Sequence, residues 1–181
     1  DKLCDKKQRQ IEKAEAIIWK EWQQTVINYL KAPIHPREIL VVIDRNGNSG
    51  KSFLMKNFKI INEETTCNLT NGKTRDLVHI ISKKQQVENI LVNLPRSGHK
   101  NINYRALEQA KDGDFCTTKY DGKEVDGDSC RMVIFTNESL DWKKMSQDRW
   151  SIMTINAGGE FKIYSYLEYI RTESKQDYFY R

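Results

Sequence analysis

Ile39-Leu-Val-Val-Ile-Asp-Arg-Asn-Gly-Asn-Ser-Gly-Lys-Ser52 decides how the chain is read: an apolar run, a glycine-bearing turn, then Gly50-Lys51-Ser52 opening a predicted helix. A buried strand ending in such a turn presents backbone N–H groups and a helix N-terminus to a phosphate chain, with a lysine for charge and a hydroxyl for magnesium. The expectation is a bound nucleoside triphosphate, with Gly47, Asn48, Ser49, Gly50, Lys51 and Ser52 as its binding residues. The first glycine of the G-x-x-x-x-G-K-S spacing falls on Arg45, so Gly47 is expected to supply the backbone freedom instead. A plain lysine-capped turn is the competing reading, since Gly, Asn and Ser are common turn residues. The order strand, loop, helix favours phosphate.

Working outward toward the C-terminus, Phe53, Leu54, Met55 and Phe58 predict a short helix with one apolar face, and Lys59-Ile-Ile61 a second strand. Asn62–Lys73 is polar and predicts a loop. Thr74 is a candidate cap for a helix with Leu77, Ile80, Ile81 and Val87 on one side, His79 falling off that stripe. Ile90-Leu-Val-Asn-Leu94, closed by Pro95, predicts a buried strand. Tyr104–Lys111 predicts a helix stopped by Gly113, and Phe115–Tyr120 with Lys123–Val125 a hairpin turning at Asp121-Gly122. Arg131-Met-Val-Ile-Phe-Thr-Asn137 is another apolar strand, and Ser151–Ile155 a further one, reached through a short helix near Trp142–Met145. The aromatic tail from Phe161 carries no pattern that assigns it.

Strands alternating with helices predict an α/β sandwich with a largely parallel sheet. In such sheets ligands gather beyond the carboxyl ends of the strands. That places Asn137 where it can meet the nucleotide; its plainer use is to start a turn.

Toward the N-terminus, Ile11, Ala14, Ile18, Trp22, Val26 and Tyr29/Leu30 recur at three and four residues, one face of a helix over residues 1–31 with a bend near Glu21. Pro33 and Pro36 forbid its continuation and set a boundary between a helical segment, residues 1–34, and a main domain, residues 35–181. Packing on the domain and self-association are both open uses of that stripe.

The totals agree with one folded domain. A chain of 181 residues can bury one core, and 10% aromatics argue against disorder although 30% of residues are charged. Mean hydropathy is −0.73. The net charge of +5 suits a polyanion-binding surface without requiring one. Cys4, Cys67, Cys116 and Cys130 are scattered, so neither a zinc site nor a disulfide framework is indicated and a reducing compartment is expected. No run approaches the roughly 18 apolar residues of a membrane span, so no membrane is expected among its partners.

Together the pieces resemble the superfamily 3 helicase domain of replication-initiator (Rep) proteins from circular single-stranded DNA viruses, their satellites and related plasmids. The matching segments, in the family's order, are Trp22-Gln23, Asp44–Ser52, Leu94-Pro-Arg-Ser97, Ile102–Glu108, Lys111-Asp-Gly113, Thr118-Lys-Tyr120, Val133–Asn137 and Met145–Trp150. The resemblance implies an AAA+-like P-loop NTPase that uses ATP and Mg²⁺. Its residues 1–34 would be an oligomerisation segment, and it would assemble, usually as a hexamer, around single-stranded DNA to unwind duplex in rolling-circle replication in the host nucleus. It gives Lys51 the β- and γ-phosphates, Ser52 the Mg²⁺, and Asn137 the motif C sensor. Arg149 would be an arginine finger offered to a neighbouring subunit, against the plainer reading of a solvated turn. Lys119, Tyr120 and Lys123 would form the DNA-tracking hairpin, where two lysines are otherwise an ordinary edge device.

One position departs from the pattern. The family's second acidic strand ends in aspartate, whereas this chain offers Asn93, which hydrogen-bonds a magnesium-bound water but supplies neither charge nor a base. Either a carboxylate from elsewhere substitutes, or hydrolysis is slow, or Asn93 is an introduced replacement that traps ATP. The alternative function is therefore a nucleotide-dependent single-stranded DNA-binding assembly module with weak or no hydrolysis. The family's nicking module, with its paired histidines, has no counterpart in residues 1–31, so nicking and joining are expected to be missing from this chain.

Overall fold

A strand buried along its whole length must lie inside a sheet covered on both faces. Ile39–Asp44 is such a strand: all six residues are buried. The computed structural model describes residues 2–70, 86–94, 102–116, 124–126 and 128–179. In chain order these form α1 (Lys2–Glu15), α2 (Glu21–Lys31), β1 (Ile39–Asp44), α3 (Lys51–Ile61), β2 (Thr66–Thr70), β3 (Asn89–Asn93), α4 (Tyr104–Asp112), β4 (Asp114–Cys116), β5 (Glu124–Asp126), β6 (Arg131–Thr136), β7 (Trp150–Ile155), β8 (Phe161–Ser165) and α5 (Tyr166–Phe179).

The main sheet runs β2-β3-β6-β1-β7-β8. Every pairing in it is parallel except β7 with β8. It is an α/β sheet flanked by helices, consistent with a P-loop-like fold.

Side chains alternate across a strand, so β1 feeds two cores. Ile39, Val41 and Ile43 join Ile90, Val92, Met132, Ile134 and Ile152 beneath Leu107 of α4 and the Trp142 and Tyr169 rings. Leu40 and Val42 join Leu91, Val133, Phe135, Met153 and Ile155 beneath Trp22, Val26 and Leu30 of α2 and Leu54 and Phe58 of α3. Thus α2 and α3 cover one face, and α4 with the segment before β7 covers the other.

Several local expectations change. The N-terminal stripe is two helices, not one bent helix: Lys20 is extended, its N–H donates to Gln23 Oε1 (3.1 Å), and Ile18 in the link is exposed. Lys59-Ile-Ile61 finishes α3 instead of forming a strand. The apolar face of Leu54, Met55 and Phe58 carries the helix onward until Asn62 N–H closes on the Phe58 carbonyl (3.0 Å). The polar stretch predicted as loop holds β2, paired only with β3 at the sheet's edge. The unassigned tail supplies β8 and α5.

The expected helix after Thr74, with His79, lies outside the described residues. The hairpin is present as β4 paired antiparallel with β5. Its tip, with Lys119, Tyr120 and Lys123, lies outside the described residues. Among the described residues no helix is long and apolar enough to cross a membrane.

Candidate functional site

Three neighbouring strands, β3, β6 and β1, end at the same carboxyl edge, and there the sequence-predicted residues meet. The loop after β1 turns through three residues with left-handed backbone, Gly47 (φ 78°), Asn48 (φ 60°) and Gly50 (φ 104°), and Lys51 begins α3. Gly and Asn are the residues that tolerate such a conformation.

The loop is folded around the Asp44 carboxylate. Oδ1 accepts from Gly47 N–H (2.9 Å), and Oδ2 accepts from Ser49 N–H (3.3 Å) and Lys51 Nζ (2.7 Å). Asp44 is 1% exposed. Burial pushes its carboxyl up, but the Lys51 ammonium and the Ser49 and Gly47 groups outweigh burial and hold it below the ordinary carboxylate range.

Other elements hold the loop from outside. Lys20 Nζ donates to the Ser49 carbonyl (3.1 Å) and Gln23 Nε2 to the Gly50 carbonyl (3.2 Å), so the start of α2 pins the turn. Asn137 Nδ2 donates to the Asp44 carbonyl (2.6 Å), which joins the end of β6 to the end of β1. Arg45, where the spacing asks for glycine, reaches Ser139 Oγ (3.0 Å), Tyr169 Oη (3.1 Å) and Glu173 Oε1 (3.0 Å), tying the loop to α5. Ser49 Oγ is buried near the Asp44 carboxylate, which it helps hold down, without completing a well-aligned hydrogen bond.

Ser52 and Asn93 line one cavity of about 780 Å³ between α1 and α3, shared with Lys6, Lys56, Lys59 and Asn68. Ser52 and Asn93 offer a cation only neutral oxygens, and the one carboxylate in the lining, Glu63, is paired with Lys7 (2.8 Å). Among the described residues no cluster of His, Cys, Asp and Glu could hold a metal by itself.

Arg149 is elsewhere. It precedes β7, where Trp150 pairs with Ile39, whereas Asp44 pairs with Ile155. Five strand steps therefore put it about 17 Å from its own loop. Its guanidinium is 4% exposed and makes a fork with Asp112: Nη1 to Oδ1 and Nη2 to Oδ2, both 2.8 Å. Nε lies 3.0 Å from Glu108 Oε1 without hydrogen-bond alignment.

The structure thus brings Gly47, Asn48, Ser49, Gly50, Lys51, Ser52, Asn93 and Asn137 to one edge and leaves Arg149 at the other. Asp44, Lys20, Gln23 and Arg45 were not singled out as site residues. Asp44 is the most legible of them, a carboxylate closing an apolar strand just before a glycine-rich turn.

The class defined at this point is an α/β protein with a P-loop-like sheet and a glycine-bearing loop leading into a helix at its carboxyl edge. No family model matches the chain. In sequence it is related to alphasatellite Rep proteins. It is 30% identical over 136 residues to Para-Rep C3 of Milk vetch dwarf C3 alphasatellite, covering 74% of this chain and 47% of that protein. It is 30% identical over 159 residues to Para-Rep C1 of Faba bean necrotic yellows C11 alphasatellite, covering 84% and 54%. To Para-Rep C9 of Faba bean necrotic yellows C9 alphasatellite it is 29% identical over 133 residues, covering 73% and 46%. The chain spans about half the length of the curated relatives it matches. Among solved structures, the A form apo structure of the NrS-1 C terminal region aligns with a TM-score of 0.41 at 15% identity, over 66% of this chain and 29% of that one.

Proposed function

We propose that this chain is the ATP-dependent helicase or translocase domain of a replication initiator, working as an oligomer, with six copies the expected ring, on single-stranded DNA in rolling-circle replication. The observation that supports the reading best is the loop after β1: three left-handed residues, a buried Ser49 hydroxyl, and Lys51 and Ser52 at the first turn of α3. The triphosphate lies across the Gly47–Lys51 amides: the Gly47 and Ser49 N–H groups and Lys51 exchange the Asp44 carboxylate for phosphate oxygens, Lys51 taking those of the β- and γ-phosphates. Ser52 and Asn93 fit a Mg²⁺ held chiefly by the nucleotide's own oxygens, since that ion commonly keeps water and phosphate ligands. The bound ion neutralises phosphate charge. Asn137, one bond from the loop, orients the γ-phosphate or its water.

Arg149 acts on the nucleotide of an adjacent copy, and Lys119, Tyr120 and Lys123 contact the DNA backbone and bases. The test is Mg²⁺-ATPase activity with and without single-stranded DNA: stimulated turnover that disappears when assembly is disrupted supports the motor. No turnover under either condition removes it.

A second reading, a nucleotide-dependent DNA-binding assembly module that hydrolyses little, is favoured by two features of the site. Asn93 brings no charge to the cavity it shares with Ser52, and the Asp44 carboxylate already neutralises Lys51. Asn93→Asp separates the readings. A gain of at least about tenfold in turnover, about 1.4 kcal/mol of barrier, identifies that strand end as a weakened catalytic position.

A further inference from the structure

We infer that Trp19 and Phe53 form a stacking platform for the base of the bound nucleotide, and that the site therefore selects purine nucleotides over pyrimidine ones by ring area. The inference rests on the triphosphate reading above and extends it to the other end of the ligand. Phe53 follows Ser52 directly in the first turn of α3, so its side chain leaves the helix about 100° around from the hydroxyl. Ser52 opens into the cavity shared with Asn93. Phe53 instead meets Trp19, with ring centroids 5.9 Å apart and planes inclined at 60°.

Phe53 presents its ring to solvent, while Trp19 is partly buried against the core beneath α2 and α3. Phe53 is 50% exposed and Ile18, beside Trp19 in the chain, is 98% exposed. Isolated exposed apolar side chains are ordinary, but Phe53 sits in the first turn after the loop and shares an aromatic contact with Trp19. The platform is also fastened to that loop, because Lys20, the residue after Trp19, donates Nζ to the Ser49 carbonyl. In the proposed binding mode the γ-phosphate end of the chain faces Ser52 and the nucleoside end faces Trp19 and Phe53. A nucleoside at that end meets aromatic faces, and base–aromatic stacking is tolerant of base identity but grows with π surface.

The closing experiment compares a nucleotide with the same phosphate chain lacking a base. Calorimetry with Mg²⁺-ATP and Mg²⁺-tripolyphosphate is run on the wild-type chain, Phe53→Ala and Phe53→Trp. Phe53→Ala is expected to weaken ATP at least about fivefold and leave tripolyphosphate unchanged, Phe53→Trp to retain or tighten ATP, and GTP to match ATP while UTP binds more weakly. ATP but not tripolyphosphate should also quench tryptophan emission, because Trp22, Trp142 and Trp150 are buried and Trp19 is the tryptophan of the platform. If Phe53→Ala lowers both ligands equally, or neither, the platform is wrong while the phosphate site stands. If the wild-type chain binds neither ligand, the triphosphate reading fails and takes the platform with it.

Discussion

The two edges of the sheet each hold a buried cation on acidic partners, and they hold them differently. At the carboxyl edge Lys51 meets a single carboxylate, Asp44, inside a loop whose amides and Ser49 hydroxyl point at the same spot. At the amino edge Arg149 is gripped in a fork by Asp112 and backed by Glu108, both on α4. One ammonium on one oxygen can exchange that partner for a phosphate. A planar guanidinium forked on one carboxylate and ion-paired with a second has far more to give up. The first arrangement suits a ligand that comes and goes, and the second suits holding α4 to the start of β7.

Lys51→Ala is the largest expected break in that contrast. It should weaken Mg²⁺-ATP by at least about 100-fold, roughly 2.7 kcal/mol, as its chief signature, and also cost stability because the buried Asp44 carboxylate is left with only its two N–H donors. A variant that binds ATP normally would mean the loop is only a turn. Arg149→Ala should do the reverse in the isolated chain. Leaving Asp112 and Glu108 unpaired costs about 2–3 kcal/mol after allowance for their partial exposure, about 5–10 °C in melting temperature, with ATP affinity unchanged. Arg149→Lys keeps a charge without the fork and should recover part of that stability. If the lysine variant also loses turnover in the assembled protein while binding ATP normally, Arg149 reaches a neighbour's nucleotide and its fork with Asp112 opens on assembly.

A smaller effect is expected at Gly50, where backbone and packing speak together. Its φ is 104°, and a Cβ built there sits 2.9 Å from Gln23 Nε2, the far end of a side chain that bonds the Gly50 carbonyl. Gly50→Ala should destabilise by about 1–2 kcal/mol, mostly from the left-handed backbone, and lower nucleotide affinity by shifting the loop. Chemical denaturation measures the first effect and calorimetry the second. An unchanged loop would show that α2 does not help set its shape.

The contrast between the edges also explains what the sequence made legible. β1, β3, β6 and β7 lie inside the sheet, so they read as apolar runs, and α4 announces itself through Asn103, which caps the Ala106 N–H, and left-handed Gly113. β2, Thr66-Cys-Asn-Leu-Thr70, is an edge strand whose Asn68 bonds the Met55 carbonyl of α3, so its pairing depends on the fold and not on a run. β8 is largely exposed and lacks the clean alternation that marks a half-buried strand. At the site, the contiguous loop and the strand-end residues Asn93 and Asn137 were readable, whereas side chains reaching in from α2 were not. Gly47 to Ser52 form one motif, but Gln23 and Lys20 reach it from 27 and 29 residues away. Likewise Glu108 and Asp112 are four apart on one helix face, a visible pair. Nothing local names Arg149, 37 residues past Asp112, as the cation they hold.

The least disruptive way to sharpen the comparison is acid. Asp44 has a folded carboxyl held below its unfolded value near 3.8. Its contribution to stability is therefore complete above that value and is lost as pH falls through the folded one. Asp148, lowered by its hydrogen bond from Arg37, and Glu168, lowered by the Ser165 backbone and side chain, titrate in the same direction. The wild-type curve alone mixes all three, so the measurement is the stability gap between wild type and Asp44→Asn. That gap should stay constant from pH 8 to about 4.5, then shrink by up to about 1 kcal/mol by pH 3 as the unfolded carboxylate takes up its proton first. A gap that stays flat to pH 3 would mean the carboxyl titrates alike in folded and unfolded chains, and Lys51 would then be resting beside Asp44 without being held by it.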